Sequence, residues 1–134
     1  MIIHLFRVVQ SYFRERSKSR RRSSKWENIK YCFLLKHDSC AACGSKNRLQ
    51  VHHKLPFGLY PELELDENNL ITLCMGKYEC HFKIGHGESW VRNNKNIDDD
   101  IKELKANPEN RKAIEKRIAK EAKIAEKNLK VNWQ

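Results

Sequence analysis

The sequence predicts a small α+β domain closed around metal, and three observations carry that prediction. Cys40 and Cys43 form a C-x-x-C pair, and Cys74 and Cys80 form a second, looser pair. Between the pairs, Leu49 and Val51 alternate with Gln50 and His52, the period-two pattern of a half-buried strand. Helical periodicity flanks this middle stretch on both sides. The chain has 134 residues, 33% charged and only 9% aromatic, so its apolar core is small. A structural metal is one of the usual staples for such a domain.

Taken in order, residues 1–13 fit a short helix. Arg14 to Ser24 (RERSKSRRRSS) lacks apolar periodicity and reads as a flexible basic arm. Ser24 followed by Glu27 is a capping-box pattern, opening a helix to about Lys36. Ile29, Phe33 and Leu34 would face inward on it, beside Trp26 and Tyr31. Cys32 lies on that helix and reads as a small core residue. Arg48 to His53 is the first strand, Lys54 to Asn68 a long loop containing Pro56, Gly58 and Pro61, and Leu70 to Leu73 a second strand leading to Cys74. A helix should begin near Cys80, carry His81 and break around Gly85-His86-Gly87. After the acidic run Asp98–Asp100, Asn107 as N-cap and Pro108 at the first helical position predict a long helix to Lys130. Its apolar stripe of Ile114, Ile118, Ala122, Ala125 and Leu129 can dock on the domain or on a second copy. These elements divide the chain into a basic arm (1–23), a metal-bearing domain (24–97) and a basic C-terminal helix (98–134).

The formal net charge is +10 and sits at the ends. Residues 1–30 hold nine Lys/Arg against Glu15 and Glu27, and residues 102–130 hold ten against five Glu. Basic ends around a balanced centre suit a polyanionic partner. The apolar residues of 1–13 are interrupted by Arg7, have their charges on the wrong side for a secretory leader, and are too few to span a bilayer. Five cysteines cannot all pair as disulfides, and a reducing cytoplasm is expected, where C-x-x-C spacing points to metal.

Zn²⁺ takes four soft ligands at tetrahedral angles, and Cys40, Cys43, Cys74 and Cys80 can supply them. The five-residue spacer of the second pair leaves a reading in which His81 replaces Cys80. His52 and His53 are neighbours on a strand, so they point to opposite faces. One can ligate a metal while the other stays free as a base near neutral pH.

LQVHHKLPFGLYPELELDENNLITLC followed by CHFKIGH resembles the HNH endonuclease family, in the zinc-containing branch common among phage and prophage proteins. The resemblance covers about residues 24–95 and implies a ββα-metal (His-Me finger) core that cuts phosphodiester bonds in DNA. It implies His53 as general base, His52 and His81 as ligands of one catalytic divalent ion, and Asn69 as the asparagine that braces the histidine loop. His86 is a candidate third ligand, against a plain loop histidine. Mg²⁺ or Mn²⁺ would serve there, with Ni²⁺, Co²⁺ and Zn²⁺ also suited to imidazole ligands. Phosphate contacts are expected from Arg14, Arg16, Lys18, Arg20, Arg21 and Arg22 in the arm, and from Lys83 and Arg92 beyond the metal helix. Trp90 is expected to pack. Phage packaging proteins are candidate partners, and a monomer or homodimer fits equally. Rival readings are a non-catalytic zinc-ribbon nucleic-acid-binding protein and an RNA-directed nuclease.

Overall fold

The computed structural model describes residues 21–131. The predicted helix over 1–13 and the arm cations Arg14, Arg16, Lys18 and Arg20 lie outside that range. Helix α1 (Trp26–Lys36) precedes strands β1 (Leu49–His53) and β2 (Leu70–Cys74). A π-helical turn (His81–Gly85) follows, then helices α2 (Ile97–Ala106) and α3 (Arg111–Val131). The strands form an antiparallel pair in which His52 faces Ile71 and His53 faces Leu70. Mixed helices and a two-stranded sheet make this the α+β class the sequence predicts.

Alternation along the hairpin sorts its side chains onto two faces. His53, Val51 and Leu70 turn toward α1, where Trp26, Phe33 and Leu70 form one core cluster with Ile29, Val51 and Leu65 packed against it. Leu73 instead joins Ile84 of the π turn, Ile97, Ile101 and Leu104 of α2, and Ile114 and Ile118 of α3. Cys40, Cys74 and Cys80 are buried in that same larger cluster. The α3 stripe therefore docks, through Ile114 and Ile118, on its own domain.

Three local expectations are corrected. The helix start does not use Ser24. The N-cap of α1 is Lys25, with no side-chain cap, and the Ser23 carbonyl accepts from the Trp26 amide at 3.0 Å. Ser23 Oγ instead accepts from the Lys25 amide at 3.2 Å, and the Ser23 amide donates to the Glu64 carboxylate at 3.0 Å. Tyr31 is 62% exposed, since the buried stripe of α1 runs through Trp26 and Phe33. The run Asp98–Asp100 is the first turn of a helix the periodicity had not revealed, its acids placed at the positive end of the helix dipole. Asp100 is buried there and accepts from Asn94 and Arg117, both at 2.7 Å. A 3₁₀ turn over Pro108–Asn110 then leads into α3. Among the described residues no helix is long and apolar enough to cross a membrane.

Candidate metal centres and active site

Two clusters of metal-ligating side chains stand on the fold: Cys40, Cys43, Cys74 and Cys80, and separately His52, His81 and His86. Within each cluster the ligand atoms lie within 4.8 Å of one another. Cys80 belongs to the first and His81 to the second, so the long spacer does not exchange them. It is absorbed in the turn before Cys80, where Glu79 takes a positive φ of 47°. Cys32 lies apart from both clusters, on α1 near Asn28.

The thiol cluster fits zinc by geometry and by chemistry. Cys43 Sγ and Cys74 Sγ are 3.6 Å apart, close to the edge of about 3.8 Å that a tetrahedron with Zn–S bonds of about 2.3 Å requires. A hydrogen bond from Cys80 holds the Cys40 thiol far down, at about 4, and the same bond pushes Cys80 up. Burial raises Cys43 to about 11. Crowded sulfurs competing for protons are what a cation in their midst would relieve. Arg111 Nη1 lies 3.6 Å from Cys80 Sγ and can donate to it.

The imidazole cluster is oriented from behind. His81 Nδ1 donates to Gln50 Oε1 at 2.6 Å, and His86 Nδ1 donates to the Arg92 carbonyl. Each ring thereby keeps an Nε2 lone pair, because an outer hydrogen bond at Nδ1 fixes the tautomer as it does in ligating histidines. Those two Nε2 atoms are 3.3 Å apart, near the spacing of about 3.4 Å expected for metal–nitrogen bonds of about 2.1 Å. His52 is 2% exposed and its Nε2 has no hydrogen-bond partner. A buried polar atom without a partner is costly unless something else satisfies it, and a divalent cation would. Burial, reinforced by the neighbouring imidazoles, holds His52 far below its ordinary value, and burial lowers His81 to about 4. Burial lowers His86 as well, against its bond to the Arg92 carbonyl. All three are neutral at physiological pH, the form that ligates. Gly85 makes this packing possible: a Cβ there would stand 3.2 Å from His52 Cε1.

His53 stands outside this cluster, on the other face of the strand. Its Nε2 lies 2.9 Å from the Glu64 carbonyl, which can only accept, so Nε2 carries the proton and Nδ1 is left with a lone pair. The Trp26 ring packs on it at 4.5 Å between centroids. Burial lowers its pKa, opposed by the Glu64 carbonyl. Asn69 braces the intervening loop. Its Oδ1 accepts from the Leu55 amide at 2.8 Å, and its Nδ2 donates to the Leu55 and Leu63 carbonyls at 3.0 and 3.3 Å. Asn93 adds a bond from Nδ2 to the His53 carbonyl at 2.6 Å.

The expected phosphate contacts of the described region are mostly engaged within the chain. Arg22 pairs with Glu64 at 3.3 Å, Lys83 with Glu79 at 3.7 Å, and Arg92 Nη2 donates to the Ala125 carbonyl at 3.1 Å. Arg21 is exposed. A groove of about 480 Å³ opens beside His86, with Lys54, Tyr60, Arg92 and Lys95 on its walls. Trp90 packs on Phe82 and on His86, each at 4.9 Å, yet stays 56% exposed at the rim of the imidazole cluster. Sequence reasoning missed Gln50, Glu64, Asn93 and Arg111. Only Gln50 carried a signal, because alternation already set it on the His52 face.

A two-stranded hairpin followed by a short helical turn, bearing a four-cysteine cluster and three converging imidazoles, defines a small ββα domain with two candidate metal sites. The family model described as HNH endonuclease matches residues 40–87. Neither a curated relative nor a solved structure matches the chain.

Proposed function

We propose that this chain is a metal-dependent endonuclease that hydrolyses phosphodiester bonds in DNA. One observation carries the reading: four imidazoles divide three to one. His52, His81 and His86 converge, the last two with Nε2 lone pairs left free by their Nδ1–H bonds, while His53 is set apart with its Nε2–H fixed on the Glu64 carbonyl.

His52, His81 and His86 would hold one divalent ion, with Mg²⁺ or Mn²⁺ as first candidates. Such an ion would supply Lewis-acid neutralisation of the charge that develops on the phosphate. His53 accepts the proton of the attacking water at Nδ1. Its lowered pKa keeps it neutral and available near pH 7. The Glu64 carbonyl fixes the tautomer and the Trp26 face fixes the ring plane. Asn69 holds the loop that links the base to β2. The groove beside His86 gives a phosphodiester access, and the basic ends of the chain supply long-range attraction. The thiol cluster would bind a structural zinc that takes no part in the chemistry. Resemblance to the phage and prophage branch makes a phage-borne nuclease the setting of this proposal.

A plasmid-nicking assay with Mg²⁺, Mn²⁺ or chelator, on wild type and His53→Ala, tests the reading. Metal-dependent nicking by wild type and DNA binding without nicking by His53→Ala are expected. Equal cutting by both would remove His53 from the mechanism. Cleavage of RNA but not plasmid would transfer the activity to the other polymer. A wild type that binds but never cuts would favour a non-catalytic zinc module.

A further inference from the structure

Arg22 reads in the sequence as one more phosphate-binding cation, yet its guanidinium is already committed. It lies 4.9 Å from the Trp26 ring and 4.5 Å from the Phe57 ring, a seat suited to a planar delocalised cation. Its Nη1 donates to Glu64 Oε1 at 3.3 Å, and the adjacent Ser23 amide donates to Oε2 at 3.0 Å. The Glu64 side chain is 6% exposed, and a carboxylate so buried requires partners of this kind. The same residue presents its main-chain carbonyl to His53 Nε2 at 2.9 Å, and the ring beneath Arg22, Trp26, also packs on His53. Glu64 is thus fixed at both ends, its carboxylate on residues 22–23 and its carbonyl on the imidazole.

We propose that Arg22 and Glu64 are positioning residues for His53: the ion pair sets the carbonyl that selects the His53 tautomer and leaves Nδ1 free. The inference rests on His53 being the general base. It takes Arg22 out of the phosphate-binding set and places it behind the reacting groups.

Two readouts test it on the full-length, metal-loaded protein. In steady-state plasmid cleavage, Arg22→Ala and Glu64→Gln should lower kcat by about 10- to 100-fold with KM nearly unchanged, as expected when a reacting group is misplaced by a fraction of an ångström. Arg22→Lys keeps the charge and should recover part of the loss. A raised KM with unchanged kcat would overturn the proposal and return Arg22 to phosphate binding. The second readout needs no activity: nitrogen-15 spectra of the His53 ring should show the Nε2–H tautomer in wild type and a mixture in both variants. An unchanged tautomer in the variants would sink the clamp. If wild type does not cut at all, the nuclease reading fails and the ring spectrum alone decides the clamp. Should Arg22→Ala not fold, the near-isosteric Glu64→Gln carries both measurements.

Discussion

His52 and His53 are chemically identical and one residue apart, yet their surroundings differ in every respect that matters. One ring is buried with an unpartnered Nε2 among two other imidazoles; the other donates from Nε2 to a carbonyl and lies under an indole. Replacing His53 by Ala should reduce cleavage by about 10²- to 10⁴-fold, the usual worth of a positioned general base. Metal binding at the three-histidine cluster, read by calorimetric titration with Mn²⁺, should persist in that variant. Gln50→Leu should do the reverse. Without its acceptor for His81 Nδ1, affinity for the ion should fall about 10- to 100-fold while the fold is kept, and equal affinity would show the Gln50 bond to be incidental. At this scale the two histidines and Asn69 were legible because their types and spacing are local. Glu64 was not, since its role comes from a carbonyl and from a partner 42 positions away.

At the scale of elements, the short π turn places two ligands of one cluster and the last cysteine of the other within seven residues, Cys80 to His86. It tolerates nothing bulky. A Cβ on Gly85 would press on His52 and on Leu73, each at 3.2 Å from its nearest atom. One on Gly87 would meet the Ile118 carbonyl and Ala122 Cβ at 3.0 Å, at a residue that already has φ of +60°. Gly87→Ala combines left-handed strain with overpacking against α3 and should cost about 1–3 kcal/mol in urea unfolding. A melting curve matching wild type would show that α3 can shift away. The sequence signalled this break through two glycines around one histidine, and the hairpin through alternation. It did not signal α2, because a helix of ten residues opened by three aspartates looks like a solvated acidic run until Ile97, Ile101 and Leu104 find their neighbours. The entry into α1 was equally hidden, because the Ser23 amide is held by a carboxylate from a distant loop.

For the molecule as a whole, the four cysteines belong to the core itself. Cys40, Cys74 and Cys80 pack among residues from β2, the π turn, α2 and α3. Cys40→Ser, or a strong zinc chelator, should therefore unfold the entire domain, visible as loss of helical circular dichroism together with release of zinc. A folded, zinc-free protein would contradict that. Charge acts at the same scale. Residues 1–20 carry five Lys/Arg against one Glu, and deleting them leaves the Arg22–Glu64 pair intact. DNA binding should weaken, and the slope of log affinity against log salt should flatten by up to about 4. A slope identical to that of the full chain would mean that these cations do not engage the phosphates.

Because successive strand residues turn to opposite faces, β1 has a parity. Adding one residue between Leu49 and His52 while the far end of the strand stays anchored would exchange the two histidines' faces, offering the ring meant for the cation to Trp26 and Glu64 instead. Adding two would restore the original assignment at the expense of a bulge. The division between ligand and base is thus written in whether a count is odd or even. Composition, changed by a single residue, holds no trace of it.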